Sequence, residues 1–163
     1  IAKIMERDEK VIVWSIFTGN VDQFCRKYKN LNACKITGKM GVDERNKSVA
    51  AFKKGEAKVL FATPQSAKEG LTLTVANNAI FYDRGFNLDD YLQAQDRIHR
   101  ISQEKDCNIY NLMIEDSIDV WIDVLLKAKQ RAAFLAQGDM SLAIYKDGAD
   151  YSFASIIHEI LKA

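Results

Sequence analysis

A length of 163 residues is typical of a single domain, and a chain of that size buries about 70% of the surface that it exposes when unfolded. Apolar residues make up 48% of the chain and charged residues 28%, which excludes a disordered or fibrous class. The formal net charge is only +1, so any polyanionic partner must be bound through a local basic patch. Because no apolar run reaches the roughly 18 residues that a transmembrane helix needs, we expect no membrane partner.

The cysteines and histidines do not form the pattern of a metal site. Cys25, Cys34 and Cys107 are an odd set without C-x-x-C spacing, which indicates neither a disulfide framework nor a zinc site. His99 and His158 are far apart in the sequence. We therefore expect reduced thiols in an intracellular protein and no bound metal. Since the first residue is Ile1 and not methionine, we also expect further sequence upstream.

Short β-branched runs alternate with longer segments of helical period, a pattern that is typical of a parallel sheet covered by helices. The predicted strands are residues 11–16, 34–37, 59–63, 79–83 and 108–113, and the predicted helices are residues 21–29, 43–54 and 88–100. Asp43 near the start and Gly55 at the end favour the bounds of the second helix. The expected fold is an α/β sandwich of three layers, with a mostly parallel central sheet and helices on both faces.

The last part of the sequence predicts two further helices. Apolar residues recur at helical spacing from Ile118, and Gly138 is expected to end this long packing helix. A similar spacing in residues 152–163 predicts a final helix. We therefore divide the chain into a domain of residues 1–137 and a helical extension of residues 138–163.

The segment from Gln93 to Gln103 reads QAQDRIHRISQ. At about 100° per helical residue, Gln93, Arg97 and Arg100 fall on one stripe. Two planar guanidiniums that share an edge suit the spread negative charge of a phosphoryl group in transfer. The alternative is a solvated polar face with surface salt bridges.

This segment resembles motif VI of the Swi/Snf-type DNA translocases, a branch of superfamily-two helicases, with Ser102 in place of the usual glycine. The resemblance implies a RecA-like second motor domain. Arg97 and Arg100 would then be catalytic arginines that bind ATP phosphates held by an upstream RecA-like domain of the same polypeptide, and Gln93 would open the motif.

Other blocks of the chain follow the order of the same family. Residues 11–17 resemble motif IV, a strand that ends beside the nucleic-acid groove. The further matches are Thr37-Gly38 with Arg45 and Phe52, and Asp83 with Phe86 and Asn87, where Phe86 replaces a tryptophan. The resemblance thus covers most of the chain.

Motif V is the weakest match, over residues 63–73, because Thr72 stands where the family has asparagine. Gly70 is retained, and a glycine lets backbone amides approach a phosphate closely, so we assign it to nucleotide binding. The alternative for this segment is a strand-to-helix turn with a helix cap at Gly70.

The chain lacks a phosphate-binding loop of the G-x-x-x-x-G-K-[ST] type, because Ala33 replaces its first glycine and Met40 follows Lys39. Asp43-Glu44 is expected to begin a helix and not to bind Mg²⁺. We therefore expect ATP and Mg²⁺ to be bound mainly by the upstream domain.

Residues at strand ends are the candidates for contact with DNA, because ligands of open α/β sheets gather there. Phosphate contacts would make the binding of double-stranded DNA largely independent of sequence. The predicted DNA-binding residues are Ser15, Gly38, Lys39, Arg45, Thr63, Ser66, Lys68 and Arg84. Such a protein is expected in the cytoplasm or on the nucleoid, with the nucleus left open.

Two other functions are considered. A non-catalytic module could use the same fold to bind nucleic acid or protein, but it would have no need of the stripe of Gln93, Arg97 and Arg100. A nucleotide-binding dehydrogenase is disfavoured because no G-x-G-x-x-G follows a predicted strand.

Overall fold

The computed structural model describes residues 1–68 and 71–139. The chain divides into two compact units. The first combines Ile1–Arg84 with Asp89–Leu112, and the second combines Gly85–Leu88 with the described residues 113–139. The first unit contains the sheet and every candidate site residue that the structure describes.

Among the described residues, five strands form one sheet in the order β2-β3-β1-β4-β5, and every neighbouring pair is parallel. The strands are β1 Val11–Trp14, β2 Cys34–Ile36, β3 Val59–Ala62, β4 Asn78–Phe81 and β5 Asn108–Asn111. The predicted α/β class with a parallel sheet is confirmed. Each strand ends one or two residues before its predicted end.

The helices in the described part of the chain are α1 Ala2–Met5, α2 Thr18–Lys27, α3 Val42–Lys54, α4 Leu88–Gln95 and α5 Ile118–Gln137, with short 3-10 helices at Lys29–Leu31 and Pro64–Lys68. Helix α3 has Asp43 and Glu44 in its first turn and ends at Gly55, whose φ of 89° is left-handed. Glycine adopts that backbone conformation without the steric penalty of a β-carbon. The predicted end of this helix is confirmed.

Apolar side chains cover both faces of the sheet because successive residues of a strand point to opposite sides. Ile12 and Trp14 of β1 belong to a core that also contains Phe52 of α3, whereas Val11 and Val13 belong to a second core. The first core also includes Val49, Leu60, Leu73, Phe81, Ala94 and Ile98, and the second includes Ile4, Val21, Val59, Phe61 and Ile80. Helices α3 and α4 therefore pack on one face and α1 and α2 on the other, which confirms the three layers.

The prediction of a helix over residues 88–100 is wrong in its second half. Helix α4 ends at Gln95, and turns follow through residue 102. The carbonyl of Arg97 does not accept a helical hydrogen bond but accepts one from the backbone N–H of Leu73, at 3.0 Å. A tertiary contact thus replaces the helical ladder, and Arg97 and Arg100 lie in the turns after the helix.

Helix α5 belongs to the second unit and has the predicted bounds. The side chain of Ser117 accepts a hydrogen bond from the N–H of Asp119 at its start, and Gly138, at a φ of 81°, ends it. The predicted helix over residues 152–163 lies outside the described residues, so the division at residue 137 stays a prediction. In the described ranges no helix has the length and apolar character that crossing a membrane requires.

Candidate functional site

The carboxyl ends of the parallel strands meet at one edge of the sheet, and polar residues follow four of the strands there. These residues are Ser15 after β1, Thr37 after β2, Thr63 after β3 and Asp83 shortly after β4. Ser15, Thr37 and Thr63 are buried. Because buried polar groups must form hydrogen bonds, the contacts of this edge show which side chains remain available for a ligand.

Asp83 organises the loop that follows β1. Its carboxylate accepts hydrogen bonds from the Ser15 hydroxyl at 2.6 Å, from the Ile16 backbone N–H at 2.6 Å and from the Asn20 side chain at 3.1 Å. The Ser15 oxygen in turn accepts a bond from the N–H of Phe17 at 3.2 Å. The hydroxyl of Ser15 is therefore engaged within the protein, and its role in DNA binding stays a prediction.

The sequence alone gave no indication that Asn20 and the carboxylate of Asp83 hold this loop together. The available signal was the position of Ser15 and Asp83, which follow strands that are neighbours in the sheet. Reading that signal requires the strand order, which a single sequence does not give.

A second hydrogen-bonded turn joins the ends of β2 and β3. The Ser66 hydroxyl donates to the carbonyl of Thr63 at 2.7 Å and to that of Ile36 at 3.1 Å, and the Thr63 N–H donates to the Ile36 carbonyl at 3.2 Å. Thr63 and Ser66 are each only 4% exposed. The structure therefore uses both residues to hold the 3-10 helix Pro64–Lys68 against the sheet. Gly70 and the side chain of Lys68 lie outside what the structure describes.

The predicted basic contacts differ in exposure. Lys39 lies in an exposed loop after β2, next to Gly38, where an added β-carbon would meet no atom within 4 Å. Arg45 on α3 and Arg84 after β4 are buried, at 8% and 6% exposure. The Arg84 guanidinium carbon lies 5.7 Å from the centroid of the Tyr91 ring, a cation–π contact. Lys39 is thus the basic residue of this set that faces solvent in the described structure.

The structure brings Arg97 and Arg100 together beside the segment of residues 71–76. Arg100 donates from Nη1 to the Thr72 hydroxyl oxygen at 2.8 Å and from Nε to the Asp96 carbonyl at 3.1 Å. Arg97 donates from Nη1 to the Leu71 carbonyl at 3.4 Å. Thr72, which replaces the family's asparagine, therefore holds one of the two arginines.

The electrostatics around Arg97 favour an anionic ligand. Its side chain is only 6% exposed, and its Nε has no hydrogen-bond partner among the described residues. Burial, and next the positive charge of Arg100, lower the pKa of Arg97 from its usual value. Since arginine stays protonated in proteins, two neighbouring cations repel each other, and a bound anion such as a phosphate would relieve that repulsion.

Gln93 lies half-buried on α4, before the turns that carry the arginines. The single helical stripe that was predicted for Gln93, Arg97 and Arg100 does not form, because α4 ends at Gln95. In the described part of the chain, no group of three or more His, Cys, Asp or Glu side chains could hold a metal ion.

Comparison with known proteins identifies the family. A model of the helicase conserved C-terminal domain matches residues 1–102. The chain belongs to the helicase C-terminal domain family. This helicase C-terminal domain is of the Swi/Snf type, as the resemblance of its motif VI predicted, and the dehydrogenase alternative is set aside.

Relatives of this helicase C-terminal domain include the ATP-dependent helicase fft3 of Schizosaccharomyces pombe, which is 34% identical over 77% of this chain and 14% of that protein. The ISWI chromatin-remodeling complex ATPase CHR11 of Arabidopsis thaliana is 35% identical over 72% of this chain and 12% of that protein. The crystal structure of the C-terminal part of the Fun30 ATPase domain superposes with a TM-score of 0.69 and 31% identity, over 76% of this chain and 41% of that chain. The chain thus spans a small part of the curated relatives that it matches.

Proposed function

We propose that this helicase C-terminal domain is the second motor lobe of an ATP-dependent translocase of double-stranded DNA. A first RecA-like lobe of the same polypeptide would provide most of the contacts to ATP and Mg²⁺. Arg97 and Arg100 would complete the site. The observation that carries the proposal is the pairing of these two guanidiniums beside residues 71–72, where both donate hydrogen bonds.

The chemistry of the pair fits phosphoryl transfer. Each guanidinium offers planar N–H donors to the oxygens of a phosphoryl group, and such charge stabilisation is worth about 10³ to 10⁵ in rate in related chemistry. The Nε of Arg97 retains an unused donor among the described contacts, and Arg100 is part-exposed. Gln93, on α4, precedes the two arginines, and we propose that it belongs to the same ATP site. We also propose that the backbone of Gly70 contacts the nucleotide.

DNA would bind through its phosphate backbone. Lys39 is the leading candidate for a phosphate contact, because its side chain is exposed. Ser15, Gly38, Arg45, Thr63, Ser66, Lys68 and Arg84 remain the other proposed residues of this interface. The relatives are named as chromatin-remodeling ATPases and ATP-dependent helicases, which supports chromatin as the substrate and the nucleus as the place of action.

The 163-residue chain alone is expected to have no measurable DNA-stimulated ATPase activity. The physical reason is that the phosphate-binding loop and the Mg²⁺ carboxylates would be supplied by the first lobe. Phosphate release should be measured for the chain and for the full-length protein, each with and without double-stranded DNA. Hydrolysis by the chain at the full-length rate would overturn the two-lobe proposal.

Binding of DNA by the chain is expected to be weak, independent of sequence and steeply weakened by salt. Each phosphate contact contributes about −0.9 to the slope of log K against log salt concentration for duplex DNA. Lys39→Ala should therefore make that slope less steep by about 0.9, the contribution of one phosphate contact. Lys54→Ala, at the exposed end of α3, should leave the slope unchanged. Fluorescence anisotropy with two unrelated duplexes measures both slopes, and equal slopes for the two variants would contradict the role of Lys39.

A further inference from the structure

We propose that Gln103 is a positioning residue, which fastens the arginine-bearing segment of residues 96–102 to the segment of residues 71–76 and so fixes where Arg97 and Arg100 stand. This inference rests on the proposed function, because it concerns the placement of the arginines that complete the ATP site. Gln103 was part of the sequence motif but was given no role there.

The amide of Gln103 contacts both segments. Its Nε2 donates to the carbonyls of Thr74 at 3.1 Å and Ala76 at 2.9 Å, which belong to the first segment. The same Nε2 donates to the carbonyl of Ile98 at 3.1 Å, within the arginine-bearing segment. An amide nitrogen carries two hydrogens, so one of them is shared between two carbonyls. The remaining oxygen, Oε1, accepts from the Lys105 N–H at 3.1 Å.

Other contacts join the same two segments, which makes them one structural assembly. The backbone N–H of Leu73 donates to the Arg97 carbonyl at 3.0 Å, and the side chains of Ser102 and Thr74 are 3.4 Å apart. Leu73 and Ile98 are both fully buried in the same apolar core. A shift of residues 71–76 would therefore move the backbone that carries the arginines.

The need for Gln103 follows from the loss of helix after Gln95. In a helix, the carbonyl of Ile98 would accept a bond from a backbone N–H one turn later, but here the chain forms irregular turns. An unpaired buried carbonyl costs free energy, and the Ile98 carbonyl here accepts a bond from the Gln103 amide at 3.1 Å and a weaker one from the Cys107 thiol at 3.5 Å. The Gln103 side chain thus replaces a hydrogen bond that is lost where α4 ends, in the turns from which Arg97 reaches residue 71.

Gln103→Glu is the sharpest test, because it preserves the size of the side chain but replaces both N–H donors by an oxygen that faces three carbonyls. In the full-length ATPase, we expect kcat to fall by about 10-fold to 10²-fold, since a displacement of about 1 Å can have that effect. The matched control is Glu104→Gln, an exposed neighbour that should keep normal kcat.

Combination with the double variant Arg97→Ala/Arg100→Ala separates positioning from general stability. If Gln103 acts through the two arginines, then Gln103→Glu should lower kcat by less than about 3-fold when both are already alanine. An equal fold-loss of kcat in both backgrounds would overturn the positioning role. The thermal midpoint of each variant is measured alongside, so that a loss of folded protein is recognised.

Amide hydrogen exchange of the nucleotide-free, full-length protein provides a readout that does not require activity. The N–H of Leu73, bonded to the Arg97 carbonyl, should exchange about 10-fold faster in Gln103→Glu, while the N–H of Val13 in β1 should be unchanged. Unchanged exchange at Leu73 would overturn the inference. If Arg97→Ala and Arg100→Ala both leave kcat unaltered, the proposed function fails, yet faster exchange at Leu73 would still support Gln103 as the link between the segments.

Discussion

Arg100→Ala in the full-length protein is expected to lower the DNA-stimulated kcat by about 10²-fold or more, without loss of the fold. The magnitude is that of a lost arginine that stabilises charge on a transferring phosphoryl group. Arg100 is part-exposed and bonds to Thr72 and the Asp96 carbonyl, so its removal takes away few contacts of the folded core. Steady-state ATPase kinetics at saturating DNA, with thermal unfolding, measures both quantities.

Two companion variants test the chemistry of the arginine pair. Arg97→Ala should lower kcat by a similar factor, and Arg100→Lys should recover little of the rate, because an ammonium group carries the charge but lacks the planar fork. Arg26→Ala, on the exposed surface of α2, is the control and should retain normal kcat. Unchanged kcat in both Arg97→Ala and Arg100→Ala would leave the non-catalytic interaction module as the better account.

Asp83→Ala is expected to lower the free energy of unfolding by about 3 kcal/mol. The substitution removes an acceptor that serves Ser15, Ile16 and Asn20, and hydrogen bonds to a charged group contribute about 1.5 to 3 kcal/mol each before the surroundings relax. The hydroxyl of Ser15, which is 1% exposed, would lose its carboxylate partner. Urea unfolding of the 163-residue chain measures the change.

Asp83→Asn and Asp43→Ala complete this test. The asparagine keeps one acceptor oxygen but places N–H groups toward the Asn20 amide, so a loss of about half that of the alanine variant is expected. Asp43 is exposed in the first turn of α3, and its removal should lower the free energy of unfolding by no more than about 1 kcal/mol. If Asp83→Ala is no more destabilising than Asp43→Ala, the network does not stabilise the loop after β1.

The sequence by itself determined the class of the fold and the family. The five predicted strand segments became the five described strands, and the three central ones, β1, β3 and β4, are buried along their whole length because both of their faces are covered. Gly55 and Gly138 ended their helices as expected, since a positive φ is a local requirement that glycine meets. The order of residues from Gln93 to Gln103 was enough to indicate the helicase C-terminal domain, which the family match confirmed.

Only the tertiary structure decided where the side chains of the site lie. The periodicity of residues 88–100 predicted one helix, but the Leu73 N–H bonds the Arg97 carbonyl and α4 ends at Gln95. Likewise, the hydroxyl of Ser15 bonds to Asp83, a residue of another strand end. Local sequence patterns indicate the backbone conformation that a segment favours and whether it is buried. The choice among competing hydrogen-bond partners depends on groups that are distant in sequence and meet only when the sheet has formed.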